Sequence, residues 1–302
     1  MNTARIAELL EPFLVTPIVI QDDSSIAKNQ PADSCHSQAV NNGVTPAVLS
    51  PIQLQYISTY IDILGRWNTR INLTAIRDPD EIVTRHFGES LFAARHLFPR
   101  RKSAGESAAG NGAAGDGASD GAVMGGGAAD RPASDARATG GRAALEVAEQ
   151  GEMRALTPEA VRVADIGSGA GFPGLPIKLW CPVIALTLIE SNHKKAAFLR
   201  EITRALTLTD VNIQNTRAES LRAAAFDVVT LRAVERFEAI LPTAAALVAP
   251  AGRLALLIGS SQQNQAAALI NDFTWSSPVP IPGSRSRVML IATRRETTNQ
   301  AS

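Results

Sequence analysis

The sequence predicts an α/β protein in which helices precede a mostly parallel, doubly wound sheet. Short apolar runs alternate with amphipathic segments from Val161 onward, the pattern of parallel strands joined by crossover helices. The first of these runs ends in closely spaced glycines, which suit a tight strand-to-helix turn. Residues 51–98 instead repeat apolar side chains at three- and four-residue steps, as amphipathic helices do.

Composition sets the outer limits. The chain has 302 residues, 45% of them hydrophobic, and Lys+Arg equals Asp+Glu at 29 each. A zero net charge does not exclude a nucleic-acid partner, because such binding needs only a local basic face. Cys35 and Cys181 lie far apart, so neither a disulfide framework nor a zinc site is expected. No signal peptide or long apolar run is evident, which predicts a cytoplasmic protein without a membrane segment.

Composition also suggests five segments along the chain. Residues 1–50 are interpreted as a partly helical N-terminal extension, and residues 51–100 as a helical subdomain. The Gly/Ala-rich insertion at 101–152 has too few large apolar residues to offset the entropy of ordering it, so disorder is predicted there. Residues 153–295 form the sheet domain, and 296–302 are a tail.

Two helices are predicted before the sheet. The first runs from Ile52 to Trp67, and the second starts with Asp78 as N-cap and Pro79 in the first helical position and reaches Phe98. We interpret Trp67 as a core residue rather than a base-stacking platform. His86 is likewise interpreted as a buried, hydrogen-bonded histidine rather than a catalyst.

The strands follow in order, with Ser191 predicted to cap the helix after the second one and a further helix at Glu238–Val248. An antiparallel pair is expected at the end of the chain. The carboxyl ends of the first four strands should meet in one crevice, where open α/β sheets bind ligands. The predicted strands are Val161–Ile166, Ile184–Ile189, Val211–Ile213, Phe226–Arg232 and Arg253–Ile258, with the last pair near Val279 and Val288–Ala292.

The glycine loop indicates a nucleoside-bearing cofactor. Gly167, Gly169 and Gly171 allow positive φ and close approach of a ligand, but Phe172 stands where a dinucleotide fingerprint has its third glycine. Glu190 ends the second strand about twenty residues further on, where an acid suits ribose hydroxyls. The pair resembles the first two motifs of Rossmann-like class I S-adenosylmethionine-dependent methyltransferases; the alternative is a glycine-rich turn in any α/β protein.

The residues after the fourth strand narrow the methyl acceptor. Leu231-Arg232-Ala233-Val234 is not the Asn/Asp-Pro-Pro-aromatic tetrad typical of exocyclic-amine methylation, and no cysteine nucleophile is present there. A ring nitrogen needs neither device, because its lone pair attacks the methyl group directly and no proton is lost. Catalysis would then depend on alignment of the reactants, and no general base is expected.

Six motifs in order resemble the RsmG/GidB family over residues 52–98 and 160–292. That family methylates ring nitrogen 7 of a guanine in bacterial 16S ribosomal RNA, in the 530 loop of the small subunit. The motifs are Trp67-Asn68-x-x-Ile71-Asn72-Leu73-Thr74, Arg85-His86-x-x-Glu89-Ser90-Leu91, the stretch from Asp165 to Pro176, Ser191-x-x-Lys194-Lys195-x-x-Phe198-Leu199, Arg217-Ala218-Glu219 and Arg232-Ala233.

The resemblance implies S-adenosyl-L-methionine as cofactor, with Gly167 and Phe172 contacting it and Ala218 and Glu219 flanking its adenine. Arg232 would line the site as a positioning residue beside the reacting groups. The implied partner is 16S rRNA in the small ribosomal subunit, and a monomer without metal is expected. The chain departs from the family at Glu89, usually aspartate, and at Ile258-Gly259, often Lys-Gly.

Several alternatives stay open at this stage. Arg232 follows a buried strand and needs an anionic partner: a cofactor carboxylate, Glu219 or an RNA phosphate. The function is either the rRNA methyltransferase, a small-molecule methyltransferase or a non-catalytic RNA-binding module. Two basic rows either bind phosphates or are solvated surface: Lys194, Lys195, Arg200 and Arg204, and Arg285, Arg287, Arg294 and Arg295.

Overall fold

The computed structural model describes residues 1–15, 48–99, 160–232 and 236–296. They fall within one unit, made of Met1–Arg100 and Glu159–Ser302. The predicted insertion at 101–152, most of the predicted extension and the tail beyond residue 296 lie outside the described residues.

Helices precede the sheet, as predicted. The second of them, α2, begins at a capping box in which Ser50 Oγ accepts from Gln53 N and Gln53 Oε1 accepts from Ser50 N at 2.8 Å. The helical elements of this part are α1 (Thr3–Val15), α2 (Pro51–Asn68), α3 (Pro79–Glu81), a π-helix (Ile82–Gly88) and α4 (Glu89–Leu97).

The prediction of one continuous α-helix from Asp78 to Phe98 is wrong in its middle part. Asp78 does cap the start, since its Oδ1 accepts from Glu81 N at 2.9 Å. The next two turns, however, are the π-helix. There Gly88 packs so closely on α1 that an added Cβ would lie 2.6 Å from the Phe13 ring. Such tertiary contacts leave no trace in apolar periodicity, and π-segments often occur at functional sites.

The sheet has the predicted doubly wound topology, in the order β3-β2-β1-β4-β5-β8-β6. Strands β1 to β5 are parallel neighbours, and β8 pairs antiparallel with β5, β6 and β7. The prediction missed β6, which is too short to show periodicity. The strands are β1 (Arg162–Ile166), β2 (Ala185–Ile189), β3 (Val211–Gln214), β4 (Phe226–Arg232), β5 (Val248–Gly259), β6 (Phe273–Trp275), β7 (Val279–Pro280) and β8 (Arg287–Arg294).

Four further helices connect the strands. The predicted cap at Ser191 is wrong: α6 begins one residue later, and Asn192 Oδ1 accepts from Lys194 N at 2.9 Å and Lys195 N at 3.3 Å. Serine and asparagine are equally good caps, so the sequence could not separate these neighbours. The helices are α5 (Gly174–Trp180), α6 (His193–Ala205), α7 (Phe237–Leu247) and α8 (Gln263–Leu269).

Each face of the sheet has its own apolar core. Side chains alternate along β1, so that Val163 packs in one core and Ala164 in the other. The N-terminal helices share the first core with α5 and α6, whereas α7 and α8 pack in the second. The helices before the sheet are therefore packed directly against the face that supports the glycine loop.

Candidate active site

The glycine loop after β1 has one packed side and one open side. Gly167, Gly169 and Gly171 have φ of 65°, 55° and 84°, as the predicted tight turn requires. A Cβ added at Gly171 would overlap Tyr60 Oη and lie 2.6 Å from Leu175 Cδ1. A Cβ at Gly169 would meet only Gly167 O, at 3.6 Å. The backbone at Gly169 is therefore accessible to a ligand.

Glu190 lies at the end of β2, as predicted, and contacts the glycine loop. Its Oε2 accepts from Gly169 N at 2.9 Å and its Oε1 from Asn192 N at 2.7 Å. The residue is 7% exposed. Each carboxylate oxygen can accept more than one hydrogen bond. Glu190 can therefore hold the loop and still accept from a pair of ribose hydroxyls.

Asp165, the last acid before the glycine loop, is almost fully buried. Its Oδ1 accepts from Thr230 Oγ1 at 2.8 Å and its Oδ2 from Gly174 N at 3.2 Å. Burial raises the pKa of Asp165 to about 6, although the hydrogen bonds from Thr230 and Gly174 oppose the shift. Asp165 opens the third motif of the family resemblance, but no role was predicted for it. An acid inside an apolar strand, directly before a glycine loop, was the signal that could have found it.

Phe172 fixes the loop to the N-terminal helices. Its ring lies nearly parallel to the Tyr60 ring, with centroids 5.4 Å apart, and to the His86 ring at 4.7 Å. Tyr60 Oη also donates to Ala170 O at 2.6 Å. Phe172 is 6% exposed. The ring therefore has protein partners, and a contact between Phe172 and a cofactor stays a prediction.

Ala218 and Glu219 form a 3-10 turn after β3, on the side of β2 away from β1. Ala218 is buried, whereas Glu219 is exposed. Just before this turn, Asn215 Nδ2 donates to Glu190 O at 2.8 Å, which joins the end of β3 to the end of β2. The structure thus brings the predicted adenine-flanking residues to the same edge as Glu190.

Arg232, at the end of β4, has an anionic partner outside the three that sequence reasoning left open. Its Nη2 lies 3.0 Å from Glu89 Oε2 and also donates to Arg85 O at 2.7 Å. Its Nη1 lies 3.2 Å from His86 Nδ1. The side chain is only 8% exposed. The signal that could have identified Glu89 was the Arg85-His86-x-x-Glu89 motif itself.

His86 is a neutral, hydrogen-bonded core residue, as predicted. Burial, together with the charges of Arg232, Arg85 and Arg287, lowers its pKa to about 3. Because arginine can only donate, His86 Nδ1 must accept from Arg232, and Nε2–H then donates to Thr74 Oγ1 at 2.8 Å. Trp67 is also confirmed as a packing residue, against Phe198 at 5.8 Å.

Glu89 stands at the centre of an arginine cluster, which we define as Arg85, Arg232 and Arg287. Their nearest nitrogens lie 3.3, 3.0 and 3.0 Å from its carboxylate. The second predicted basic row is therefore not one continuous face. Arg285 is exposed, Arg287 points to Glu89, and Arg294 pairs with Asp272 at 3.4 Å.

The described ranges contain neither a metal-binding cluster nor a membrane-spanning helix. Within them, no three or more His, Cys, Asp or Glu side chains are grouped so that they could hold a metal ion. None of the helices in these ranges is both long and apolar enough to cross a membrane.

The strand order, the glycine loop after β1 and the acid after β2 define a Rossmann-like class I methyltransferase fold that uses S-adenosylmethionine. The family described as "GidB: rRNA small subunit methyltransferase G" matches residues 53–113 and 149–282. The chain belongs to this family, which confirms the resemblance found in the sequence.

Curated relatives agree over most of the chain. A protein of Xylella fastidiosa (strain 9a5c) is 27% identical over 277 residues, covering 91% of this chain and 99% of the relative. One from Chloroflexus aggregans is 30% identical over 258 residues, covering 82% and 84%. Both are named "Ribosomal RNA small subunit methyltransferase G". The similarity thus includes the N-terminal helices as well as the sheet.

Proposed function

We propose that this chain transfers a methyl group from S-adenosyl-L-methionine to ring nitrogen 7 of a guanine in 16S rRNA of the small ribosomal subunit. The family match carries the proposal, since it covers strands β1 to β7 and most of the helices packed on the sheet. The resemblance implies the 530-loop guanine as the target. An intact glycine loop with Glu190 beside it argues against the non-catalytic alternative, and the family match favours RNA over a small molecule.

The carboxyl ends of β1 to β3 fit the cofactor. The backbone of Gly167 and Gly169 would approach it on the open side of the loop, Gly171 would contribute through the shape of the turn, and Glu190 would accept from its ribose hydroxyls. Phe172 completes the loop, and Ala218 and Glu219 would flank the adenine. Bound S-adenosylmethionine supplies an electrophilic methyl group on a sulfonium centre.

The protein's part in the reaction is to position the reactants. Nitrogen 7 of guanine has a free lone pair and loses no proton, so no general base is needed. His86 is unsuited to that role, because both of its nitrogens are engaged and its pKa is about 3. Arg232, held by Glu89 and His86, would keep the end of β4 in place beside the acceptor base. Alignment of this kind contributes on the order of 7 to 11 kcal/mol to lowering a barrier.

The test is methyl transfer from labelled cofactor to small subunits that lack the modification, with the base mapped by reverse transcription after chemical cleavage. A single 7-methylguanosine is expected. Arg232→Ala should abolish it, whereas Arg200→Ala, on the exposed side of α6, should not. Because Arg232→Ala also removes a buried partner of Glu89, the control is that both variants unfold well above the assay temperature. Tight cofactor binding without label in RNA would contradict the proposed substrate.

The same proposal includes a monomer that acts in the cytoplasm without metal. Light scattering coupled to size exclusion should give the mass of one chain, and activity should survive treatment with EDTA. A dimer mass or loss of activity with the chelator would contradict these two parts.

A further inference from the structure

Arg287 has polar atoms for which the described part of the chain offers no hydrogen-bond acceptor. Its Nη2 lies 3.0 Å from Glu89 Oε2. The N–H direction nevertheless misses that oxygen, so that across the described ranges neither Nε nor Nη2 of Arg287 has a hydrogen-bond partner, although both atoms are buried. Buried donors without an acceptor are costly, and the cost is greater for a charged group. The side chain as a whole is 18% exposed, so an external acceptor would satisfy them once the guanidinium turns toward the surface.

The charges around Arg287 also favour an anion. The arginine cluster places three guanidinium groups around one carboxylate, that of Glu89. His86, which contacts Arg232, is neutral and cannot balance them. Arg232 uses its N–H groups on Glu89, His86 and Arg85 O. Arg85 is the most exposed of the three arginines, at 47%, whereas Arg287 is the one whose buried donors lack an acceptor within the described ranges.

The position of Arg287 separates it from the cofactor loop. It pairs with Gly259 in the β5–β8 register, and so lies at the same edge of the sheet as the carboxyl ends of β4 and β5. Strand β8 is three strands from β1, roughly 14 Å at the usual strand spacing. A cavity of about 110 Å³ lies there, lined by Gly259, Gln262 and Arg287 together with four apolar side chains of β4, β5 and α7. The anion is thus expected on the side of the site where the methyl-accepting base would bind, away from the cofactor loop.

We propose that Arg287, backed by Arg85 and Arg232, binds a phosphate group of the rRNA backbone next to the target guanine. This rests on the proposed function and assigns a contact to the RNA. A planar guanidinium suits a phosphate because two parallel N–H groups can donate to two of its oxygens. Through Glu89, the same contact joins the RNA backbone to Arg232 at the end of β4.

The experiment measures binding of small subunits lacking the modification to wild type, Arg287→Gln and Arg285→Gln over a range of salt concentrations. Arg285 is the matched control, because it lies two residues away and is exposed. Arg287→Gln should weaken binding tenfold or more and lower the slope of log affinity against log salt by about 0.7 to 0.9, the value for one phosphate contact. Arg285→Gln should change neither quantity by a comparable amount.

Further measurements separate this contact from other roles. The affinity for S-adenosylhomocysteine should be equal in wild type and Arg287→Gln, since the cofactor lies on the other side of β4. Arg287→Lys keeps the positive charge but not the pair of parallel N–H donors, so it should retain the salt slope while losing part of the affinity. This variant also replaces Arg287→Gln in the comparison if Arg287→Gln does not fold. If the wild type neither binds nor methylates small subunits, the proposed function itself has failed.

Three results would overturn the inference. The first is an unchanged salt slope in folded Arg287→Gln. The second is an equal loss in Arg285→Gln, which would show a general charge effect. The third combines two observations: inorganic phosphate stabilises the wild type but not Arg287→Gln, and both proteins bind subunits with equal affinity. That result would assign the site to a free anion.

Discussion

The candidate site lies along the edge of the sheet where the parallel strands end. The two ends of this edge, at β1–β2 and at β4–β8, are held together by different interactions. At the β1–β2 end, backbone N–H groups of Gly169, Gly174 and Asn192 donate to the carboxylates of Glu190 and Asp165. At the β4–β8 end, the arginine cluster surrounds Glu89 with side chains from the π-helix, β4 and β8. Directional hydrogen bonds shape the first end, whereas excess charge dominates the second.

This difference determines how each end responds to change. A backbone cradle tolerates loss of a charge but not the addition of atoms, because its shape is its function. A buried ionic cluster tolerates small changes of shape but not loss of its only anion. Changing the charge at the β4–β8 end and the side-chain volume at the β1–β2 end therefore tests which interaction stabilises each end.

The largest effect is expected for Glu89→Gln. It leaves three guanidinium groups around a neutral amide, and removing one partner of a buried ion pair costs about 3 to 5 kcal/mol. Urea unfolding should show this loss of free energy of unfolding. Glu89→Asp keeps the charge and should lose far less. Equal losses in the two variants would mean that packing, and not charge, holds this end together.

The next effect concerns Gly171→Ala at the other end. The φ of 84° and the overlap with Tyr60 and Leu175 should destabilise the fold by about 2 to 4 kcal/mol. Gly169→Ala is the matched control, because its Cβ meets only a backbone oxygen at 3.6 Å. That variant should stay within about 2 kcal/mol of wild type in urea unfolding, as a left-handed alanine costs.

Gly169→Ala should nevertheless bind cofactor poorly, because its methyl group would point to the open side of the loop. Calorimetry with S-adenosylhomocysteine measures this. Wild-type affinity in a folded Gly169→Ala variant would show that the cofactor does not approach this part of the backbone.

The same difference between the two ends explains which features could be predicted from the sequence. The glycine loop, Glu190 and the strand order could be predicted, because they depend on spacing within a short stretch and on general topology. Arg232 and Glu89 are 143 positions apart in the sequence, and Glu89 directly follows the π-helix. Apolar periodicity reveals neither the long-range pairing nor the π-helix. Within the second basic row, only the structure separates exposed Arg285, which precedes β8, from Arg287, which faces Glu89.

Protonation should distinguish the two ends between about pH 4 and 6. The pKa of Asp165 is about 6 in the fold and about 3.9 unfolded, so the folded state binds more protons and stability falls as pH rises through this window. His86, with a pKa of about 3 in the fold against about 6.5 unfolded, acts in the opposite sense: stability falls as pH drops. In wild type the two dependences partly cancel.

Asp165→Asn should therefore improve relative to wild type as pH rises from about 4 to 6, by at most about 3 kcal/mol. Asparagine can still bond Thr230 and Gly174, so the fold should survive. His86→Asn should show the reverse trend, losing ground relative to wild type as pH rises. Unfolding curves at four pH values measure both. If the difference between Asp165→Asn and wild type does not vary with pH, folding does not raise the pKa of Asp165.

The smallest effect, from Tyr60→Phe, tests whether the glycine loop is shaped by its own residues alone. Phenylalanine keeps the stacking on Phe172 but removes the donor to Ala170 O, which should cost about 1 kcal/mol. If that bond also holds the loop in its binding conformation, affinity for S-adenosylhomocysteine should fall by up to about fivefold. Tyr56→Phe, on the same helix with its hydroxyl 3.5 Å from Thr207 Oγ1, should change neither quantity. Unaltered cofactor affinity in Tyr60→Phe would mean that the residues of the loop and of β2 alone determine its binding conformation. A loss of affinity would show that α2 helps to shape the loop. In that case both ends of the site depend on the helices packed against the sheet.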